Sequence, residues 1–397
     1  MRREKISGIV TDWLIIAMFS ALLCIPLVLA LTGPSRVYSQ AEKRFLAKFP
    51  EFRLKGGDIR ALTRAIDTFY QDHFGLREFL IHRYHREVNK RFAAASAPDV
   101  LTGKEGWLFY SGERVLEDLI GQHPLRREQL ALLAARIRDT RDWLEQKGIS
   151  YMPVVAPNKQ SIYPEYLPDH YQQARKTSRL DQAVATLSRD PATAILDLRP
   201  VLLRNKGDLR LYDKTDTHWN QLGAYCGYRE LIRVAGSLFP EADMQVYFSV
   251  GARWREDPAG DLAQLSGRSD TLQEKRPEVI AWFQAREHEL NLSLQQLFLL
   301  EQMKPFLTVR QGKKLRVLVL HDSFMNPMKP FLAESFGEVL FLWKYFDPNV
   351  EIFLNREVMD RLLAEFKPDL VIDQIVERHL DWWIPQNSPQ SASGSAR

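Results

Sequence analysis

The longest uniform stretch of the chain is an uncharged apolar run over 13–31, "WLIIAMFSALLCIPLVLAL". At about 1.5 Å of rise per residue, a helix of this length approaches the ~30 Å hydrocarbon core of a bilayer. Arg2, Arg3 and Lys5 precede it, a bias that holds the N-terminal tail in the cytoplasm, opposed by Arg36, Lys43 and Arg44 beyond it. The pattern predicts an uncleaved transmembrane anchor within 1–35. A cleaved signal peptide is the alternative, because "VLA" at 28–30 fits a processing site. Both readings export the rest of the chain. Residues 34–57 have no period and read as a linker or irregular arm. Asp58 then stands as a helix cap before Ile59, Leu62, Ile66 and Phe69, and the helical period resumes at Phe79, Leu80, Tyr84 and Val88 after a break at Gly75. Residues 36–100 are therefore expected to be a linker and helical region packing on the domain that follows.

Within 101–385 the pattern changes. Glycines bracket a short aromatic strand at 107–110, and an amphipathic helix fits 125–147, with Leu130, Leu133, Ile137 and Leu144 on one face and Gly148 to stop it. Next come "ISYMPVVAP", "TAILDLRP", "LRVLVLHDS", "GEVLFLW" and "DLVIDQIVE", short runs with little alternation, as in strands covered on both faces. Helical segments at 178–188, 221–235 and 329–335 fall between them. This order predicts an α/β domain with a mostly parallel sheet flanked by helices. Residues 256–306 read as loop plus a long, partly amphipathic helix. The polar, low-complexity stretch 386–397 reads as a disordered tail.

Composition narrows the classes. The chain has 397 residues, 45% hydrophobic and 26% charged, a globular balance. A formal net charge of +4 with interspersed signs, and no basic run interleaved with aromatics, argues against a nucleic-acid partner. The two cysteines, Cys24 and Cys226, give neither a disulfide framework nor zinc-ligand spacing.

Two fragments carry candidate chemistry. In "YDKTDTHWN", Asp216 and His218 lie two residues apart just before a predicted helix. In "HDSF", Ser323 follows a buried strand, where ligands gather in open α/β sheets. A serine is a weak nucleophile without a base, and the base needs an orienting acid. His218 can supply the first role and Asp216 the second, with the backbone N–H groups that follow the strand facing an oxyanion. Asn158 and Lys159 follow another strand and can line the same cleft, Lys159 holding an anionic sugar or polarising a carbonyl. Tyr163 and Trp219 can stack on a sugar ring. Glu377 and Arg378 read as a structural ion pair.

"LYDKTDTHWNQLGA" together with "VLVLHDSFMNP" resembles the alginate O-acetyltransferase AlgJ/AlgX family, an SGNH-hydrolase-like group. "FYQDHFGLREFLI", "GKEGWLFY", "VAPNKQSIYPEYLP", "AGDLAQLSG" and "IVERHL" agree in order, over roughly 65–380. The resemblance implies an SGNH-like catalytic domain with a permuted triad, Asp216 and His218 preceding Ser323. It implies acetyl transfer through a serine acetyl-enzyme to hydroxyls of an exopolysaccharide, alginate-like or other, without metal or cofactor. The implied setting is the periplasm, anchored to the inner membrane beside a membrane-bound O-acyltransferase that delivers acetyl groups. The short stretch beyond the last strand leaves no room for a carbohydrate-binding module, which is AlgJ-like rather than AlgX-like. One departure is His321, where the family pattern has the glycine of "GDSF". A side chain there is expected to narrow the site or tilt the turn; contact with substrate is one reading of it and a structural role the favoured one. The same triad acting on water would make a carbohydrate acetyl esterase, and a degenerate site would leave a non-catalytic scaffold of a polysaccharide assembly complex.

Overall fold

The structure is a computed structural model that describes residues 2–32, 38–39, 44–50, 59–77, 79–80, 83, 99–207, 209–244, 251–269, 271–290, 304–344 and 356–384. The chain divides into two compact units, Met1–Ala95 and Ser96–Arg397.

In the first unit, the Arg2–Thr32 helix contains the window Trp13–Ala30, with mean hydropathy 2.6. It is long and apolar enough to cross a membrane. Two short strands, β1 (Tyr38–Ser39) and β2 (Arg44–Phe45), pair antiparallel. The helix Ile59–Asp72 follows the predicted period and ends in a turn around Gly75. Its last residue, Asp72, accepts a hydrogen bond from the Ala47 N–H at 2.8 Å, and Phe69 meets Phe49 edge-on at 5.1 Å. Asp58, Tyr84, Val88 and the 386–397 tail lie outside the described residues.

The second unit opens with an antiparallel pair, β3 (Val100–Thr102) and β4 (Leu108–Tyr110). Its main sheet uses β5 (Ser150–Ala156), β6 (Leu196–Asp197), β9 (Arg286–His288), β10 (Phe306–Val309), β11 (Arg316–His321), β12 (Glu338–Trp343) and β13 (Leu370–Val376), in the order β6-β5-β13-β11-β12-β10-β9. The first five in that order are mutually parallel, and β10 and β9 are antiparallel additions. Successive strand residues serve opposite cores. Val317, Val319 and Ile372 face one core, with the Gln221–Leu238 and Lys329–Ser335 helices. Leu318, Leu320 and Val371 face the other, with Arg127–Glu145, Arg179–Leu187 and Arg356–Phe366. Both faces are covered, which is why these strands carry no polar alternation. All the parallel strands end on one edge, and that edge positions the site.

The reading of 256–306 as loop plus a long helix requires correction over 256–290: there β7 (Gly251–Pro258) pairs antiparallel with β8 (Gln273–Ile280) along eight residue pairs, with a short helix Asp261–Leu265 between them and β9 beyond. Residues 291–303 lie outside the described residues. The ribbon is largely exposed and is knitted by charge, as in Arg253–Glu278 at 2.6 Å, so it buries no stripe that a period would reveal. The Arg356–Phe366 helix was not anticipated, although Met359, Leu362, Leu363 and Phe366 carry its spacing.

Candidate active site

Strand β11 is hydrogen-bonded on both sides, by β12 and β13, and delivers the chain to Asp322. Asp322 caps a single tight turn, Ser323–Met325, by accepting from the Phe324 N–H at 2.9 Å. Its carboxylate also accepts from Gln374 Nε2 at 3.0 Å and from the Val376 N–H at 2.5 Å, fastening the turn to β13. Burial alone would raise the Asp322 pKa. His379 first, then Gln374 and the Phe324 N–H, outweigh it and hold the group at about 2. Ser323 is thus a partly exposed residue on a rigid corner.

The second fragment is a closed loop. Tyr212 and Trp219 bridge in antiparallel fashion, and Asn220 caps the Gln221–Leu238 helix through its Oδ1, which accepts from the N–H groups of Leu222 and Gly223 at 3.0 and 3.1 Å. The loop is gripped from outside. Lys159 Nζ donates to the carbonyls of Asp213, Lys214 and Asp216 at 2.8, 3.0 and 2.6 Å. Glu274 accepts from the N–H groups of Lys214 and Thr215, at 2.5 and 3.0 Å. Trp219 Nε1 donates to the Phe324 carbonyl at 2.7 Å, tying this loop to the serine turn.

The two fragments meet. His218 Nδ1 donates to Asp216 Oδ1 at 2.9 Å, and His218 Nε2 lies 2.8 Å from Ser323 Oγ. With its proton on Nδ1, the imidazole presents a lone pair at Nε2 to the serine hydroxyl. Burial opposes ionisation of Asp216, but the hydrogen bonds and charge of His218, and then the charge of Arg276, hold its carboxyl far below the usual range. Next to it, burial and Glu274 push Asp213 up to about 6. The Ser323 N–H donates to no described residue, whereas those of Phe324 and Met325 are taken by Asp322. The expectation that several following N–H groups face an oxyanion is therefore narrowed to the Ser323 N–H.

A second carboxylate was missed. Asp261 Oδ2 is 3.5 Å from His218 Nδ1, and Asp261 Oδ1 accepts from the Thr217 N–H at 2.7 Å. Its only trace in the sequence is the family stretch "AGDLAQLSG"; no spacing links it to His218. Among the described residues, Asp216, His218 and Asp261 bring their donor atoms within 4.8 Å of one another, close enough for a metal ion, but His218 Nδ1 is already spent on Asp216.

The five other nominated residues are buried. Lys159 is buried with all three ammonium protons on carbonyls, so it has none for a sugar or an acetyl group. Burial lowers its pKa to about 8. Tyr163 is buried against Trp107, its hydroxyl accepting from the Leu211 N–H at 2.9 Å. Trp219 borders the cleft but is only 2% exposed, leaving no face for stacking. Asn158 is buried, and its Oδ1 accepts from Arg378 at 3.4 Å. His321 is fully buried beside Trp343 and Phe341 and does not line the cleft. The Glu377–Arg378 pair also dissolves: buried Glu377 accepts from Asn158 N–H and Ser161 Oγ at 2.9 and 2.6 Å, while Arg378 binds Glu113 at 2.7 Å.

Beside Ser323 and His218 opens a cleft of about 490 Å³, walled by Asn326 and Pro327 on one side and by the β7–β8 ribbon on the other.

The profile of the family described as "SGNH hydrolase-like domain, acetyltransferase AlgX" matches residues 100–307, just over half of the chain. The chain belongs to this AlgJ/AlgX family. Its sheet flanked by helices is accordingly an SGNH-hydrolase-like fold. The match includes Asp216, His218 and Asp261 and ends before Ser323. "Probable alginate O-acetylase AlgJ" of Pseudomonas putida is 28% identical over 163 residues, 41% of this chain and 40% of the relative. The protein of the same name from Pseudomonas syringae pv. tomato is 27% identical over 169 residues, 43% and 41% of the two chains. The chain thus spans about two-fifths of the length of these curated relatives. Among solved structures, "O-Acetyltransferase Domain of Pseudomonas putida AlgJ" aligns with 74% of this chain and 96% of its own at 18% identity and a TM-score of 0.46.

Proposed function

We propose that this chain is an O-acetyltransferase that moves acetyl groups through a serine acetyl-enzyme to hydroxyls of an exopolysaccharide. The observation that carries the reading is the unbroken line Asp216–His218–Ser323, with steps of 2.9 and 2.8 Å, opening on a cleft of about 490 Å³. Membership of the family and the naming of its relatives as alginate O-acetylases support acetyl transfer as the reaction class.

Ser323 Oγ attacks the carbonyl carbon of an acetyl donor while His218 Nε2 takes the hydroxyl proton. The oxyanion accepts from the Ser323 N–H. As the tetrahedral adduct collapses, the donor leaves with the proton from His218, and the acetyl group remains on Ser323. A sugar hydroxyl then gives its proton to His218 and attacks the acetyl-enzyme. Collapse of that second adduct returns the proton to Ser323 and releases the acetylated sugar. Asp216 keeps Nδ1 protonated and stabilises the imidazolium formed twice per cycle; Asp261 adds a second negative charge beside it. The apolar Arg2–Thr32 helix suits an anchor in the inner membrane with the catalytic unit in the periplasm, where a membrane-bound O-acyltransferase supplies acetyl groups.

The test uses the full-length chain and p-nitrophenyl acetate, with and without oligosaccharide. Transfer yields acetylated sugar by mass spectrometry. Release of acetate with no acetylated sugar for any acceptor marks an esterase instead. Ser323→Ala should lower p-nitrophenol release by about a thousandfold or more with an unchanged circular dichroism spectrum. Full activity in that variant sinks the reading.

A further inference from the structure

Trp282 is 91% exposed, more than any other large apolar side chain among the described residues. An indole left in water forfeits the burial that an aromatic side chain ordinarily contributes to a fold. Its exposure is not that of a loose segment, because the backbone on either side is fastened. The Val279 N–H donates to Gln221 Oε1 at 2.8 Å, and the N–H groups of Gln284 and Ala285 both donate to Glu334 Oε1. Arg310 Nε holds Glu334 in turn at 2.9 Å, and Phe283 meets Phe331 edge-on at 5.7 Å. The ring therefore stands on a fixed ledge.

That ledge borders a second cleft, of about 450 Å³, lined by Trp282 together with Gln284 and Gln311. The side-chain amides of both glutamines hydrogen-bond to no described residue. Each amide offers donors and an acceptor, which suit the hydroxyls on the rim of a pyranose, and the C–H face of such a ring suits an indole. The charged groups of the wall are paired, Arg310 with Glu334 at 2.9 Å and Lys313 with Asp243 at 3.0 Å. The cleft thus selects for hydroxyls and a ring face, not for a net charge. A protein-binding hot spot would instead seat the tryptophan in a packed surround that excludes water.

The two clefts are close along the chain. Pro277 and Glu278 line the one beside Ser323, and Trp282 follows Glu278 by four residues, at most about 14 Å of extended backbone. Resting on the transferase reading above, we propose that Trp282, Gln284 and Gln311 form a second sugar-binding subsite, which holds the acceptor polymer at a ring remote from the one being acetylated.

The experiment measures binding apart from chemistry. The full-length chain in detergent is titrated by calorimetry with a disaccharide and a long oligomer from each of two series, cello-oligosaccharide and oligomannuronate. The parent chain should bind the long oligomer of at least one series more tightly than its disaccharide. Trp282→Ala should weaken the long oligomer about tenfold, equivalent to about 1.4 kcal/mol, so that its advantage of length shrinks. Trp282→Tyr keeps an aromatic face and should retain most of the affinity. The side chain lies in solvent, so neither variant should shift the melting temperature. Equal binding by the parent and Trp282→Ala overturns the proposal, as does a parent chain that binds neither series. A dimer in sedimentation that Trp282→Ala dissolves, with oligomer binding unchanged, assigns the indole to a second copy of the chain and overturns it too. Adding p-nitrophenyl acetate tests the transferase reading separately. Affinity lost in Trp282→Ala, with no sugar acetylated by the parent, leaves the subsite standing and overturns that reading alone.

Discussion

His321 is held in the fold as a neutral base. Burial first, and then the charge of Lys329, push its pKa down to about 3. Its Nδ1 donates to the Asp322 carbonyl at 2.8 Å, and its Nε2 is buried without a partner. An unfolded histidine takes up its proton near pH 6.5, so the unfolded chain binds protons first as the pH falls. The native state therefore keeps its full stability above about pH 6.5 and loses it progressively toward pH 3, by about 5 kcal/mol at most from this group. His321→Met should flatten the pH dependence of the urea midpoint across that window relative to the parent chain. Identical slopes would show that His321 does not titrate as buried. The same burial explains why its sequence position misleads. Two residues before the nucleophile in the chain, its ring turns into the core beside Phe341 and Trp343 rather than toward the cleft. Lys159 is the converse case. Nothing in "NKQS" signals that a lysine will end on three carbonyls from a loop more than fifty residues away.

The elements around the site work as two facing loops. Residues 213–218 present the acid and base, and the turn before the Asp261–Leu265 helix backs them. Gly260 stands at the contact. Its N–H donates to Thr215 Oγ at 2.8 Å, and a β-carbon there would come within 2.6 Å of both Cβ and Oδ2 of Asp216. Its φ of −72° is open to any residue, so the demand for glycine is one of space alone. Gly260→Ala should displace the Asp216 carboxylate and lower kcat about tenfold or more, with a shift in melting temperature of only a few degrees. Unchanged kcat would mean that the loop yields without moving the acid. The strand–helix units of the sheet could be read from their apolar runs. The β7–β8 ribbon could not, because it is held by ion pairs and cross-strand bonds that leave no hydrophobic period.

At the scale of the molecule, a helix long and apolar enough to cross a membrane and an α/β unit share one chain. If the Arg2–Thr32 helix spans the membrane, the full-length protein should stay with the membrane pellet in alkaline carbonate and dissolve only in detergent. Recovery in the carbonate supernatant would favour a cleaved signal segment. The sequence by itself determined the anchor-like run, the order of the main strands and helices, and the three residues Asp216, His218 and Ser323 as candidates. Each of these is a local property: apolar length, period, or a residue type at a strand or helix end. Only the tertiary structure decided that His218 stands 2.8 Å from Ser323, that Asp261 backs it, and that Lys159, Tyr163 and His321 are buried. Those facts depend on contacts between segments tens to hundreds of residues apart. No local pattern encodes such contacts, because what sets them is the joint burial of both faces of one sheet.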